Sequence, residues 1–526
     1  MGMFDYICMA FFIFVVIFVG LFFTKNGKNT NAFLLGDGKM PWWLTSISYI
    51  MSIMSTISVV MVPGEAYTNG LRYFIIEFFI PFTGIAFFCL FMRFYFTVKT
   101  FTPYTYLENR FDARIRGIIS VVFFSQRLVY LAMVLFSCAM VFKGIAEWNI
   151  PVVILCIGIV AIAYCAMGGL KAVIWVNVLK FFALSIGLIA TVLICLGQIE
   201  GGATGVIKYA FENGRGFNLS AMDSDFFSFD PHVRITFWLL LIGAIGQYMF
   251  INSADQVTIQ QLLSTNSYKK ARNSFLGSIL IMIPLVSILW FLGLCVFAYF
   301  GQHPVAGGNP PGDMALFRFI RSNLPSPLPG LLVATLLATA ISTSGGAMTA
   351  LSTVATKDFY VRFFRNNADE QTQVKVSRIF IILIGFCGIA LAIAINATSQ
   401  TLGETVFEAA TIWGALGTVI APVFFIGVVF PRCNGRHALI AVFLGWAITV
   451  VMIFWYIISK SMGNSISFML TSIPGFFTVI FVGFLAQLCS KPNNLDKNEN
   501  LTIWTLKNDK VGCCEIITPC IQEIKK

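Results

Sequence analysis

Apolar residues run in long stretches along this chain, and polar residues gather in the short segments between them. Thirteen stretches are long enough to span a bilayer: about 4–23, 44–66, 74–98, 116–143, 150–168, 174–198, 233–252, 272–300, 328–354, 377–396, 404–429, 437–458 and 466–488. They predict an all-α polytopic membrane protein with about 13 transmembrane helices in one domain, 1–490, followed by a tail, 491–526. One stretch breaks the apolar pattern. From Ser46 to Leu71 it reads SISYIMSIMSTISVVMVPGEAYTNGL, with six Ser or Thr side chains before Val62 and then Pro63, Gly64 and Glu65. An unpaired backbone group in hydrocarbon costs several kcal/mol, so a broken helix is tolerated only where its freed carbonyls line a cavity or bind something. A discontinuous helix at mid-membrane is the usual ion and substrate site of a secondary transporter.

A second stretch of this kind lies five spans later. The segment 233–252 is interrupted by Gly243 and Gly246, and a break is expected there. An offset of five reverses the orientation of the second unit, as in a 5+5 inverted repeat with its site between the first helices of the two halves. The halves would run over about 44–198 and 233–429.

Composition agrees with this reading. The 526 residues are 58% hydrophobic and only 11% charged, whereas a soluble domain is about a quarter charged. The net charge of +11 would suggest nucleic acid were it not placed in alternate loops. Arg110, Arg114 and Arg116 form one cluster, Lys269, Lys270 and Arg272 another, and Arg432 and Arg436 a third. The positive-inside rule puts these loops in the cytoplasm, with the amino terminus outside and the carboxyl tail inside. The partners expected are a small-molecule solute and the lipid bilayer, not nucleic acid, at the plasma membrane. The stretch 4–23 has neither a basic lead nor a small-residue cleavage site and reads as a retained helix. No phosphate-binding loop and no GxSxG or HExxH motif is present, so neither ATP-driven transport nor an enzyme is indicated.

A hydroxyl cluster lies in 328–354. Ser342 and Thr343 are adjacent, with Thr339 one turn earlier. A dehydrated sodium ion takes hard oxygen ligands, and hydroxyls with backbone carbonyls supply them without excess charge. Two adjacent hydroxyls facing the carbonyls of the broken second span would make such a site. The alternative is that they bond back to carbonyls of their own helix.

Several segments then resemble the sodium/solute symporter family. FLLGDGKMPWWL (33–44), YCAMGGLKAVIWVNVLK (164–180) and DQVTIQQLLST (255–265) are similar to three family signatures. MVPGEAY (61–67), DPHVRITFW (230–238), PSPLPGLLVA (325–334) and AIST (340–343) are closest to the iodide, multivitamin and monocarboxylate carrier branch. The resemblance implies a leucine-transporter-type fold and Na+ as the coupling ion. It also implies a sodium site from the carbonyls of Met51, Met54 and Thr339 and the hydroxyls of Ser342 and Thr343.

Departures from the family pattern matter as much. Two-sodium members carry a carboxylate, an amide and further hydroxyls where this chain has Asn177, Lys180, Gly345 and Gly346. A second sodium would lack ligands, so one sodium per cycle is expected. The Lys180 ammonium is read either as an internal cation in the vacated position or as a side chain snorkelling to the interface.

Candidate substrate contacts are Ser55, Thr56, Ser58, Tyr130 and Gln247, each weighed against plain packing. Glu77, an acid inside a span, is a functional candidate by default. It is read either as a ligand for sugar hydroxyls or as a partner of Arg72. The glutamine of sugar carriers is Thr411 here, which disfavours a hexose. The expected function is sodium-coupled import of a small organic solute, such as a monocarboxylate or vitamin. A sugar or polyol cotransporter, and a channel or transport-deficient sensor, are the rival readings.

Overall fold

The computed structural model describes residues 2–24, 40–98, 103–165, 170–216, 225–265, 267–305, 308–364, 369–402, 406–490 and 501–505. The start of the 33–44 motif, residues 166–169 of another motif and most of the 491–526 tail lie outside them. The chain is helical throughout the described residues: α1 Met3–Thr24, α2 Trp42–Ile53, α3 Thr56–Asn69, α4 Ile76–Val98, α5 Pro103–Arg110, α6 Ala113–Ala146, α7 Ile150–Cys165, α8 Leu170–Gly197 and α9 Gly202–Glu212. There follow α10 Phe237–Ser253, α11 Gln256–Leu263, α12 Tyr268–Gln302, α13 Gly312–Asn323, α14 Leu328–Val354, α15 Glu370–Leu402, α16 Val406–Gly414, α17 Ile420–Val429, α18 Gly435–Ser461 and α19 Ile473–Cys489.

Eight helices are long and apolar enough to cross a membrane, and three further spans are bent pairs. Two shorter apolar helices, Met3–Val16 and Ile150–Cys165, accompany them. The bends are 66° between α2 and α3, 55° between α10 and α11, and 44° within α16 and α17. The first bend falls where the hydroxyl pattern predicts a break. It lies at Met54–Ser55, ahead of Pro63, which stays inside α3 without ending it. A proline removes one amide and crowds the preceding turn. Here α12 closes on that turn: a side chain at Gly293 would meet the Pro63 carbonyl at 2.5 Å, so only glycine fits.

The second bend corrects the expectation. Gly243 and Gly246 lie within continuous α10, and the break comes at Ala254–Asp255. Asp255 caps α11 by accepting from the Val257 amide at 3.4 Å, and this capping restarts the helix. The carbonyls freed there are answered by phenols: Tyr95 donates to Ser253, and Tyr104 donates to Ala254 at 3.0 Å. The third bend was not expected from the sequence.

α14 is the most enclosed of the eight long helices. It packs against α1, α6, α7 and α8, while α8 also packs against α2. Asp5 of α1 is buried and ties that helix to the start of α14, accepting from the Ser326 hydroxyl at 3.0 Å and the Gly330 amide at 3.3 Å. The hydroxyls expected to bind cations therefore sit on the central helix, and the broken helix α2/α3 stands beside it.

Candidate functional site

A cavity of about 400 Å³ opens between the α2/α3 break, α6, α10 and the α16/α17 bend. Ser55, Ser58, Tyr130, Gln247 and Thr411 line it. Ser55 is the residue at the break, in extended backbone, and its side chain does not cap α3. The amino end of α3 therefore opens toward the cavity with amides that no capping side chain occupies. Gly243 and Gly246, which do not break α10, instead keep the opposite wall low. No charged side chain lines the cavity among the described residues. A guanidinium stands behind the wall, with Arg127 4.7 Å from the centre of the Tyr130 ring and 3.6 Å from Asp255.

Two of the seven substrate candidates are not in the lining. Thr56 is fully buried, and its hydroxyl lacks a hydrogen-bond partner. Glu77 stands near Trp290, Tyr73 and Tyr248. It makes no ion pair with Arg72, whose guanidinium instead lies over the Phe226 ring. The reading of Glu77 as a partner of Arg72 is thus corrected, and Glu77 lies outside the cavity's lining. In its place the cavity wall holds Gln126, whose amide oxygen is buried without a hydrogen bond. In the sequence it is one polar residue among several on a long apolar helix, with nothing to single it out.

The expected sodium ligands divide by their bonding. The amide of Met54 reaches back to Ile50 at 2.7 Å and that of Ser58 to Ser55 at 3.1 Å. The carbonyls of Met51 and Met54 lie between these turns and accept no hydrogen bond among the described residues. Thr343 has a buried hydroxyl without a partner. Ser342 donates to the Thr339 carbonyl at 3.2 Å. Buried polar groups are normally satisfied, and the Thr343 hydroxyl is an exception among the described residues.

The α8 residues read as a vacated cation position lead elsewhere. Asn177 donates to Ser48 Oγ and Ser52 Oγ, both at 3.0 Å, and so binds α8 to α2. Lys180, one turn on, is fully buried and does not snorkel. Its ammonium donates to Ser342 Oγ at 2.5 Å, a hydroxyl of the expected sodium set. The Gly345 carbonyl accepts from Cys165 at 3.2 Å and from Thr349 at 2.8 Å, and Gly346 faces open space.

Two charge clusters flank the site. Near the end of α3, Arg234 holds Glu65 through two nitrogens at 2.5 and 3.0 Å and reaches Glu408 at 3.3 Å. Lys460 lies 3.5 Å from Glu408. At the other end, about four turns of α6 before Tyr130, Arg116 bridges Glu108 at 2.6 Å and Asp358. Arg362 joins Glu108 at 2.9 Å. Partial burial alone would raise the Glu108 carboxyl; the Arg116 and Arg362 guanidiniums outweigh it and hold the group below the usual carboxylate range. The sequence shows these charges but not their pairing, which joins residues far apart along the chain.

A family model described as sodium:solute symporter family matches residues 33–445. The chain is 28% identical over 466 residues to the sodium-coupled monocarboxylate transporter 2 of Mus musculus, covering 87% of this chain and 72% of that protein. It is 27% identical to the sodium-dependent multivitamin transporter of Oryctolagus cuniculus, covering 95% and 79%. It is 23% identical to the sodium/sialic acid symporter SiaT of Proteus mirabilis, covering 95% and 98%. A solved sodium-coupled sialic acid symporter in a substrate-bound outward-open state superposes with a TM-score of 0.82 at 21% identity, covering 94% of this chain and 99% of that one. The helical fold expected from the sequence is the fold found, and these relatives are transporters, not enzymes.

Proposed function

Because this chain belongs to the sodium:solute symporter family, we propose that it imports a small organic anion, of monocarboxylate or vitamin type, across the plasma membrane with sodium. Sodium-coupled solute symport is the coarser statement and follows from the family; the anion is the inferred part. One observation carries it. The uncapped amino end of α3 opens onto a cavity with no acidic side chain in its described lining. A helix amino terminus presents free amides and a partial positive charge, which suit a carboxylate. The volume of about 400 Å³ suits a small solute. Polar contacts would come from Ser55, Ser58, Tyr130, Gln247 and Thr411, with Gln126 added.

Sodium would bind between the Met51 and Met54 carbonyls of α2/α3 and the Thr339 carbonyl and Ser342 and Thr343 hydroxyls of α14. It would pin α14 against the break while the solute loads, and its departure would loosen that contact. A ligand shifts such an equilibrium only by its differential affinity for the two states. One sodium per cycle is proposed, since no further hydroxyl stands at Gly345 and Gly346. The basic clusters favour an orientation with the amino terminus outside and the tail in the cytoplasm.

Uptake into proteoliposomes tests the reading. Labelled short monocarboxylates, biotin, iodide, hexoses and sialic acid would be offered with and without an inward sodium gradient. Sodium-dependent accumulation of a carboxylate is expected. Accumulation of a hexose in preference, or steady current without accumulation, would overturn the anion symporter in favour of a sugar carrier or a channel.

A further inference from the structure

Lys180 is a long cationic side chain with none of its surface exposed. Buried charges in proteins are normally paired, yet no carboxylate pairs with it among the described residues. Its one hydrogen bond among the described residues is to Ser342 Oγ at 2.5 Å. That oxygen is one of the five proposed for sodium, so this inference rests on the site described above. An ammonium and a sodium ion make the same demand on a hydroxyl: each directs positive charge at its lone pairs. The hydroxyl already spends its proton on the Thr339 carbonyl. Lys180 reaches that oxygen from α8 and bonds to a remaining lone pair. Of the rest of the set, the Thr339 carbonyl accepts from Ser342, while the Thr343 hydroxyl and the Met51 and Met54 carbonyls make no hydrogen bond among the described residues.

We propose that Lys180 is a tethered competitor of sodium: its ammonium holds the Ser342 corner of the cation site, and sodium binds only as that side chain withdraws. The placement of α8 supports this. Asn177, three residues earlier, fixes the helix to Ser48 and Ser52 of α2. The base of the lysine is thereby held in register with the break, while its flexible stem carries the charge to α14. Two like charges in so poorly solvated a place repel strongly, so the two cations exclude one another. The arrangement makes sodium entry an exchange. One contact between α8 and α14 is lost as another, between α14 and the α2/α3 break, is gained.

Equilibrium binding of labelled sodium to the full chain in nanodiscs, at fixed pH, decides the matter without recourse to transport. Lys180→Gln and Lys180→Met remove the charge with different side chains, so a folding failure in one leaves the other. Both are expected to tighten sodium binding by about tenfold or more, while Lys180→Arg keeps the weak binding of the native chain. Equal or weaker sodium binding in both neutral variants would overturn the proposal and make Lys180 a strut. The combined Ser342→Ala and Thr343→Ala variant separates the two layers. If it binds sodium as the native chain does, the site itself lies elsewhere and the competitor falls with it.

Discussion

Arg234 grips Glu65 with both terminal guanidinium nitrogens, and that carboxylate is 3% exposed. The arginine precedes α10, and the glutamate lies near the end of α3. The pair therefore ties the two broken spans together beside the cavity. Glu408, at 3.3 Å, brings in the third bent span. Removing one member leaves a buried charge unpaired, which costs about 3–5 kcal/mol. Arg234→Gln alone should lower the unfolding midpoint of the purified protein more than Arg234→Gln combined with Glu65→Gln does. Additive losses in thermal unfolding would show that the pair is not coupled.

Ser342 and Thr343 yield a separate prediction. Each Ala substitution should weaken the sodium dependence of uptake by about tenfold or more, roughly 1.4 kcal/mol each, with the solute KM at saturating sodium changing less. Ser344, whose hydroxyl is also buried without a partner, is the control, since it is outside the proposed set. A sodium response unchanged in both variants would place the cation elsewhere.

The cavity wall gives a size test. A methyl group at Gly246 meets nothing closer than 3.9 Å, at Phe476. Gly246→Ala should therefore leave expression and uptake near native values. Gly246→Leu should fill part of the roughly 400 Å³ cavity and raise the solute KM or abolish uptake while folding persists. Unimpaired transport by the leucine variant would exclude this cavity as the solute site.

Glu108 sets a pH prediction. Its folded-state carboxyl lies below the usual range because the Arg116 and Arg362 guanidiniums outweigh its partial burial. A carboxylate depressed in this way contributes stability above its unfolded pKa and loses it as pH falls through the folded value. Acidification below about pH 4.3, the ordinary Glu value, should destabilise the native protein more than Glu108→Gln, compared by thermal unfolding in detergent. Parallel acid limbs in the two proteins would contradict this.

How much of this was readable from the sequence follows from the range of each interaction. The break in α2/α3 was legible because six hydroxyls in one span are a local anomaly. Within that stretch Pro63 is the stronger local helix breaker, yet the backbone parts at the hydroxyls, at Met54–Ser55. Gly243 and Gly246 suggested a break because glycine weakens helices. Packing overrides that weakness: a methyl at Gly243 would meet Met469 at 2.9 Å, so the glycine serves close contact. The true second break is marked by Asp255, a helix cap that reads in sequence as one more polar residue. Lys180 was visible as an oddity, but which hydroxyl a long side chain reaches is decided by the packing of α8 on α14. Arg234 and Glu65 are 169 positions apart, and no periodicity links them.

The phenols of Tyr95 and Tyr104 bear on the symmetry of the molecule. At the second kink they fill the carbonyls of Ser253 and Ala254, whereas at the first kink the carbonyls of Met51 and Met54 accept no hydrogen bond among the described residues. Two bends of similar backbone shape thus have opposite chemical fates, one with open carbonyls and the other closed by the protein itself. A stopped kink has no reason to answer to ions. Any response of the two breaks to an ion is therefore expected at the first kink alone.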